Sequence, residues 1–311
     1  MTPIKTIFFG TPEFAATALK TLVENPFFEV IGVVTQPDRP TGRKKILTAP
    51  PVKVLAQEKN IKVFQPEKLR DEAINEIANL KAQLAVVVAY GNIIPKKLLD
   101  LIPMGFVNIH PSLLPNHRGA SPLTETILAG DKETGVCLMV LDEQMDHGPI
   151  IACRRVALNG DETTSSLRQI VTPIASEMIN KELVEYLSGK VVSVPQDHLR
   201  ATFCKQIESA AARINWNKPA VEVNRLVRAM HGVTPAWTTL DETMLLIHSS
   251  SIELTNGNKP AGTIVSINKS PAIVCSEGCL ILNEIQLAGG KAMSGQAFLN
   301  GHKDLIGKKL I

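Results

Sequence analysis

Residues 84–90 read LAVVVAY, with no charged or amide side chain in the run. Successive side chains of a strand face opposite sides, so a strand that is apolar at every position must be covered on both faces. That excludes a sheet with one wet face and calls for helices above and below it. The surrounding pattern supplies them. Apolar stretches at 4–10, 29–35, 84–90 and 106–110 alternate with helical periodicity at 12–24, 50–59 and 71–79. This predicts an α/β fold, a Rossmann-like, mainly parallel sheet with helices on both faces. A helix at 121–129 with Ser121 as N-cap and Pro122 at its first position, a strand pair at 135–142 and 149–158, and a long helix over 164–187 complete this part.

The pattern changes near Gly189. Residues 189–206 have no clear period and read as a linker. A helix at 219–230 then precedes five short strands at 236–240, 244–249, 262–267, 272–275 and 280–287. Five strands so close together predict a smaller C-terminal β-barrel of the oligonucleotide-binding type. The expected domains are therefore 1–188, a linker at 189–206, and 207–311. A chain of 311 residues with 44% apolar content is long enough for two cores. The net charge of +3 arises entirely after residue 204, which is compatible with a polyanionic partner for the barrel. Cysteines 137, 153, 204, 275 and 279 are odd in number and irregular in spacing, so they read as free thiols rather than a disulfide framework or a zinc site. The N-terminus enters an apolar strand at once and no apolar run reaches spanning length, so a soluble, cytoplasmic protein without a membrane partner is expected, and a monomer because no interface stripe stands out.

There is no G-x-G-x-x-G after the first strand and no phosphate-binding P-loop motif. The richest stretch is FVNIHPSLLPNHRG at 106–119. Asn108 and His110 are two apart on a strand, so they share a face, and they sit at the C-terminal end where open α/β sheets place their sites. About thirty residues on, LDEQMDHGPI brings Asp142, Asp146 and His147 ahead of another strand. These groups suit acyl transfer to an amine. Asn108 and a protonated His110 would stabilise the developing oxyanion, and Asp146 would orient His110 and accept the amine proton. No Ser or Cys is placed for a covalent intermediate. Taken singly, the same residues also fit a loop-capping pair and a turn. A metal site from His110, His117, Asp146 and His147 would lack characteristic spacing, and none is expected.

The runs NIHPSLLPNHRGASP, VVVAYGNIIP and LDEQMDHGPI resemble the folate-dependent formyltransferases. By that resemblance Asn108, His110 and Asp146 are the catalytic trio and the co-substrate is 10-formyltetrahydrofolate. The resemblance also implies a pterin pocket from Val88, Tyr90, Gly91, Ile93 and Pro95, completed by Ser112, Leu113, Leu114, Pro115 and Asp142. The basic segment TQPDRPTGRKKILTAPPVKVLA at 35–56 resembles the loop of those members that formylate the methionyl amine of initiator tRNA. It implies tRNA contacts at Arg39, Arg43, Lys44 and Lys45. The stretches 213–232 and 291–302 resemble the tail of the same members, where the barrel holds tRNA, with Lys205, Arg213, Lys218 and Arg228 as candidate contacts. Two places depart from the family pattern. Asn116 and His117 stand where a basic and an aromatic residue are usual, and 231–235 replaces the usual Pro- and Trp-containing turn. A noncatalytic RNA-binding barrel, amino-sugar formylation and formyl-folate hydrolysis are the alternatives.

Overall fold

A computed structural model describes residues 2–42, 45–255 and 259–311. The chain divides into two compact units, one of residues 1–122, 133–157 and 168–205, the other of 123–132, 158–167 and 206–311.

Seven strands build the main sheet of the first unit: β1 (Ile4–Gly10), β2 (Phe28–Val34), β3 (Val63–Phe64), β4 (Leu84–Val88), β5 (Phe106–His110), β6 (Glu133–Val140) and β7 (Ile150–Ala157). Their order is β7-β6-β5-β4-β1-β2-β3. Strands β1 to β5 are mutually parallel, and β6 and β7 add antiparallel at one edge. Helices α1 (Glu13–Glu24), α2 (Pro51–Glu58) and α3 (Asp71–Ala78) provide the crossovers. Ile7, Phe9, Ala85 and Val87 pack with Ile74 and Ile77 of α3 and with Phe106. The alternate residues Phe8 and Val86 point to the opposite face and are also fully buried. The double-sided burial expected from 84–90 is therefore real, although β4 stops at Val88. Ala89 (φ 46°) and Gly91 (φ 88°) turn the chain out of the sheet there, a left-handed excursion that costs a non-glycine residue roughly 1–2 kcal/mol.

In the second unit, β8 (Ala236–Leu240), β9 (Thr243–Glu253), β10 (Ile264–Ile267), β11 (Ser270–Val274) and β12 (Cys279–Leu287) pair antiparallel in the order β8-β9-β12-β11-β10. Residues 307–311 join the two edges. Ile311 exchanges backbone hydrogen bonds of 2.9 and 3.1 Å with Thr239 of β8, while Leu310 N donates to Gly262 O and Ile264 N donates to Lys308 O beside β10. This five-residue strap, too short to show periodicity, closes the sheet around Ile247, Ile273, Leu280 and Ile285, with Val223 and Val227 of α4 (Ala220–Met230) packed in. Segments 123–132 and 158–167 also belong to this unit, the second of them held by polar ties. Thr164 Oγ1 donates to Ala229 O at 2.6 Å, and Arg228 donates to Glu162 O at 2.7 Å.

Two expectations change. The stretch 189–206 is not a free linker as far as Lys205. Its Phe203–Cys204 pairs parallel with Arg118–Gly119, and Val194 bridges Ile150. Nor are all five cysteines free. Cys137 and Cys153 are direct partners across the β6–β7 ladder and are joined as a disulfide. Cross-strand register, invisible in linear spacing, brings them together. The remaining thiols are buried. Burial, reinforced by neighbouring Cys279, pushes Cys275 up to about 12. Since the thiolate is the nucleophile, Cys275 should resist iodoacetamide at neutral pH in the native protein and react fully in denaturant. Peptide mass mapping checks this, and rapid native-state alkylation would contradict it.

Candidate active site

The strand order reverses between β1 and β4, which is where doubly wound sheets open a crevice at their C-terminal ends. Asn108 and His110 reach the same edge from the end of β5, two positions apart on the same face, and both are buried. Asp146 comes from the turn between β6 and β7, with φ 48°. Its carboxylate is well fixed. Gly119 N donates to Oδ2 at 2.7 Å, Asn108 Nδ2 donates to Oδ1 at 3.2 Å, and His110 Nδ1 stands 3.6 Å from Oδ1. The three predicted residues thus converge on one point.

The ring of His110 is oriented from its other side. Nε2 lies 3.0 Å from His117 O, and a carbonyl only accepts, so Nε2 carries a proton and Nδ1 faces Asp146. Asn116 and His117, the departures from the family pattern, therefore contribute through backbone. Ser112 Oγ also donates to Asn116 O, at 2.7 Å. Gly119 has φ 124°, and a Cβ there would collide with Cys204 O. Only glycine lets 118–119 lie against 203–204 with its N–H aimed at Asp146.

The other expected pocket residues divide. Val88 and Tyr90 are buried, Tyr90 edge-on to Phe9 at 5.4 Å between ring centres. Burial pushes the Tyr90 phenol up, and the Asn92 amide pulls the other way. Thr11 Oγ1 donates to Tyr90 O at 2.9 Å. Gly91 and Ile93 lie on the exposed turn, and Pro95 leads into the short helix Lys96–Leu99. Ser112 and Leu114 are interior, Leu114 against Cys137 and Met139, while Leu113 lies over Gly135. Pro115 follows a cis peptide bond. Asp142 is engaged locally. Its Oδ2 is 2.6 Å from His147 Nδ1, and its Oδ1 accepts from Gln144 N at 2.9 Å. Among the described residues, no group of three His, Cys, Asp or Glu side chains could hold a metal ion.

In the basic segment, Arg39–Thr41 and Ile46–Thr48 form a hairpin. Arg43 and Lys44 lie outside the described residues. Arg39 makes an exposed ion pair with Glu67 at 3.6 Å, a contact of little energy. Lys45 is exposed with φ 49°. At the hairpin's root, first the Gln65 amide and then the Lys53 ammonium hold the Asp38 carboxyl below its usual range. In the second unit Arg213 lies over Trp237 at 5.5 Å and Lys218 pairs with Glu222 at 3.2 Å. Arg228 is the most engaged of these candidates. It is half-buried, with Nε donating to Asn224 Oδ1 and Nη1 to Glu162 O, so it braces the unit.

The reading of the sequence missed the residues of 189–206 that line this centre. Gln196 is buried against Arg118 and the Asp146 turn, and Thr202 Oγ1 accepts from His117 N at 2.8 Å. The ring of His198 stacks on that of His147 with centres 3.9 Å apart. A polar segment without period gives no burial signal. The one available hint was Arg118, a guanidinium in an apolar loop that needs acceptors.

Fold and site together define an α/β domain with an Asn–His–Asp centre at its strand ends, accompanied by an antiparallel barrel. A formyl transferase model matches residues 4–183 and a formyl transferase C-terminal domain model matches 206–303. The chain is 37% identical over 311 residues to the methionyl-tRNA formyltransferase of Staphylococcus aureus strain MW2, covering 99% of each chain. Among solved structures it resembles WlaRD, a sugar 3N-formyl transferase (TM-score 0.65, 17% identity, 93% of this chain and 99% of that one). It also resembles an N-formyltransferase from Helicobacter canadensis (TM-score 0.64, 18% identity, 90% and 98%). These two likenesses are of fold. The chain belongs to the formyl transferase family.

Gly148 closes the Asp146 turn so tightly that a Cβ would strike Val140 O. Gly148→Ala should displace Asp146 and lower kcat about 100-fold, the cost expected of a misplacement near 1 Å. Steady-state transfer kinetics on the folded variant measure it, and a wild-type kcat would contradict the placement.

Proposed function

We propose that this protein moves the formyl group of 10-formyltetrahydrofolate to the free amine of methionyl-initiator tRNA, acting as a cytoplasmic monomer. The observation that carries the acceptor is the match over 99% of both chains, loop and barrel included, to a protein named methionyl-tRNA formyltransferase. The first unit is the formyl-folate domain and the second the tRNA-holding domain. The switch-point crevice suits a reduced folate. It offers the turn 89–95, whose backbone leaves the sheet just after Val88 and can bond a pterin edge.

The co-substrate supplies an activated formyl carbon. Asn108 has one amide hydrogen on Asp146 and a second left to donate, and His110, protonated on both ring nitrogens, has its Nδ1–H facing the same point. Together they stabilise the oxygen that gains charge as the amine attacks. Asp146 takes the proton the amine loses, directly or through water, and returns it to the departing folate nitrogen. The new carbon–nitrogen bond forms as the old one breaks. Gly119 N and Asn108 keep the Asp146 carboxylate oriented for both transfers. Arg39, Arg43, Lys44 and Lys45 contact phosphates near the acceptor end.

Asn108→Ala and His110→Ala should each lower kcat about 10²–10³-fold, the usual effect of removing an oxyanion donor. Formylation of charged initiator tRNA is the assay, and unimpaired variants would sink the catalytic reading. Arg43, Lys44 and Lys45 changed together to Ala should raise the tRNA KM and flatten its dependence on salt, because phosphate contacts release counterions. An unchanged salt slope would remove the loop from the interface.

A further inference from the structure

The Asp146 carboxylate is useful only where it stands, and it stands on a turn that an L-residue does not favour, at φ 48°. Something must hold that turn. Gln196 is 6% exposed and has all its hydrogen-bonding capacity engaged around it. Its Nε2 donates to Asp146 O at 2.9 Å and to Gly148 O at 2.7 Å, so one amide grips both ends of residues 146–148. Its Oε1 accepts from Arg118 Nε at 3.2 Å and from Arg118 Nη2 at 2.7 Å. Arg118 is itself buried, which pushes its guanidinium down, while the Asp146 and Asp142 carboxylates pull it back up. Arg118 Nη2 also donates to His198 Nδ1 at 3.0 Å. The residue inside the turn, His147, is clamped by its side chain between the His198 ring and the Asp142 carboxylate. Backbone and side chain of the turn are thus held by one segment, 196–198, with Arg118 as its anchor.

We infer that Gln196 is a positioning residue for formyl transfer, holding the 146–148 turn so that Asp146 meets Asn108 and His110 in reacting geometry. The inference rests on the proposed role of Asp146. A swap of amide for carboxylate isolates the interaction. Gln196→Glu keeps the oxygen that Arg118 grips but turns the two donated hydrogen bonds into repulsion against carbonyl oxygens. Asp146 then loses its placement while the crevice for folate is untouched.

The test is a kinetic double-mutant cycle with Asp146→Asn, with melting temperatures to establish folding. Gln196→Glu should lower kcat about 30–100-fold and change the KM for formyl-folate less than about two-fold, the signature of an interaction felt in the transition state. In the Asp146→Asn background the same change should cost less than about three-fold, because residues acting as a unit are not additive. Gln196→Asn, which keeps the amide but falls one methylene short, must lower kcat in the same direction and replaces Gln196→Glu if the latter does not fold. A kcat within about three-fold of wild type, an effect confined to KM, or full additivity with Asp146→Asn would overturn the inference. If Asp146→Asn alone keeps full activity, it is the role of Asp146 that fails. If Asp146→Asn is impaired and Gln196→Glu is not, only the role of Gln196 fails.

Discussion

Burial of β1 and β4 on both faces is the constraint from which the site follows. Phe8, Phe9, Val86 and Val87 leave these neighbouring strands no solvent-facing side. Covering both sides sends the chain from β1 to one edge of the sheet and from β4 to the other, and the strand order reverses between them. A crevice forms at that reversal because the outgoing loops diverge. At roughly 1.5–3 kcal/mol for each large side chain buried, this packing is ample to fix strand ends and to carry unfavourable turns at Ala89 and Asp146.

On that frame the polar centre is assembled from groups each held twice. His110 sits between His117 O and Asp146, Asp146 between Gly119 N and Asn108, and the turn beneath Asp146 between Gln196 and the His147–His198 stack. Buried polar groups are costly when unpaired, so a network closed in this way resists displacement as a unit. The same reasoning explains why Gly119 and Gly148 tolerate no side chain. Each brings backbone within hydrogen-bonding reach of the centre where a Cβ would meet a carbonyl.

Much of this was legible in the sequence, for identifiable reasons. The 84–90 run encoded the covered sheet, and period-two spacing put Asn108 and His110 on one face. Five short, closely spaced strand segments after residue 235 revealed the barrel. What stayed hidden was non-local. Strand register joined Cys137 to Cys153, the strap 307–311 closed the barrel through main-chain hydrogen bonds at both edges, and 189–206 looked like a linker although Gln196 and Thr202 complete the centre. Asp142 and Arg228 illustrate the converse, since polar residues that look free in a sequence are engaged with His147 and Asn224 in the fold.

The most direct measurement follows the label from a formyl-radiolabelled 10-formyltetrahydrofolate, with charged initiator tRNA, charged elongator tRNA and a nucleotide-linked amino sugar offered in parallel. Label on the methionyl amine of initiator tRNA, with little on the other two, is the predicted result. Label released as formate without an acceptor, or carried preferentially to the amino sugar, would contradict it.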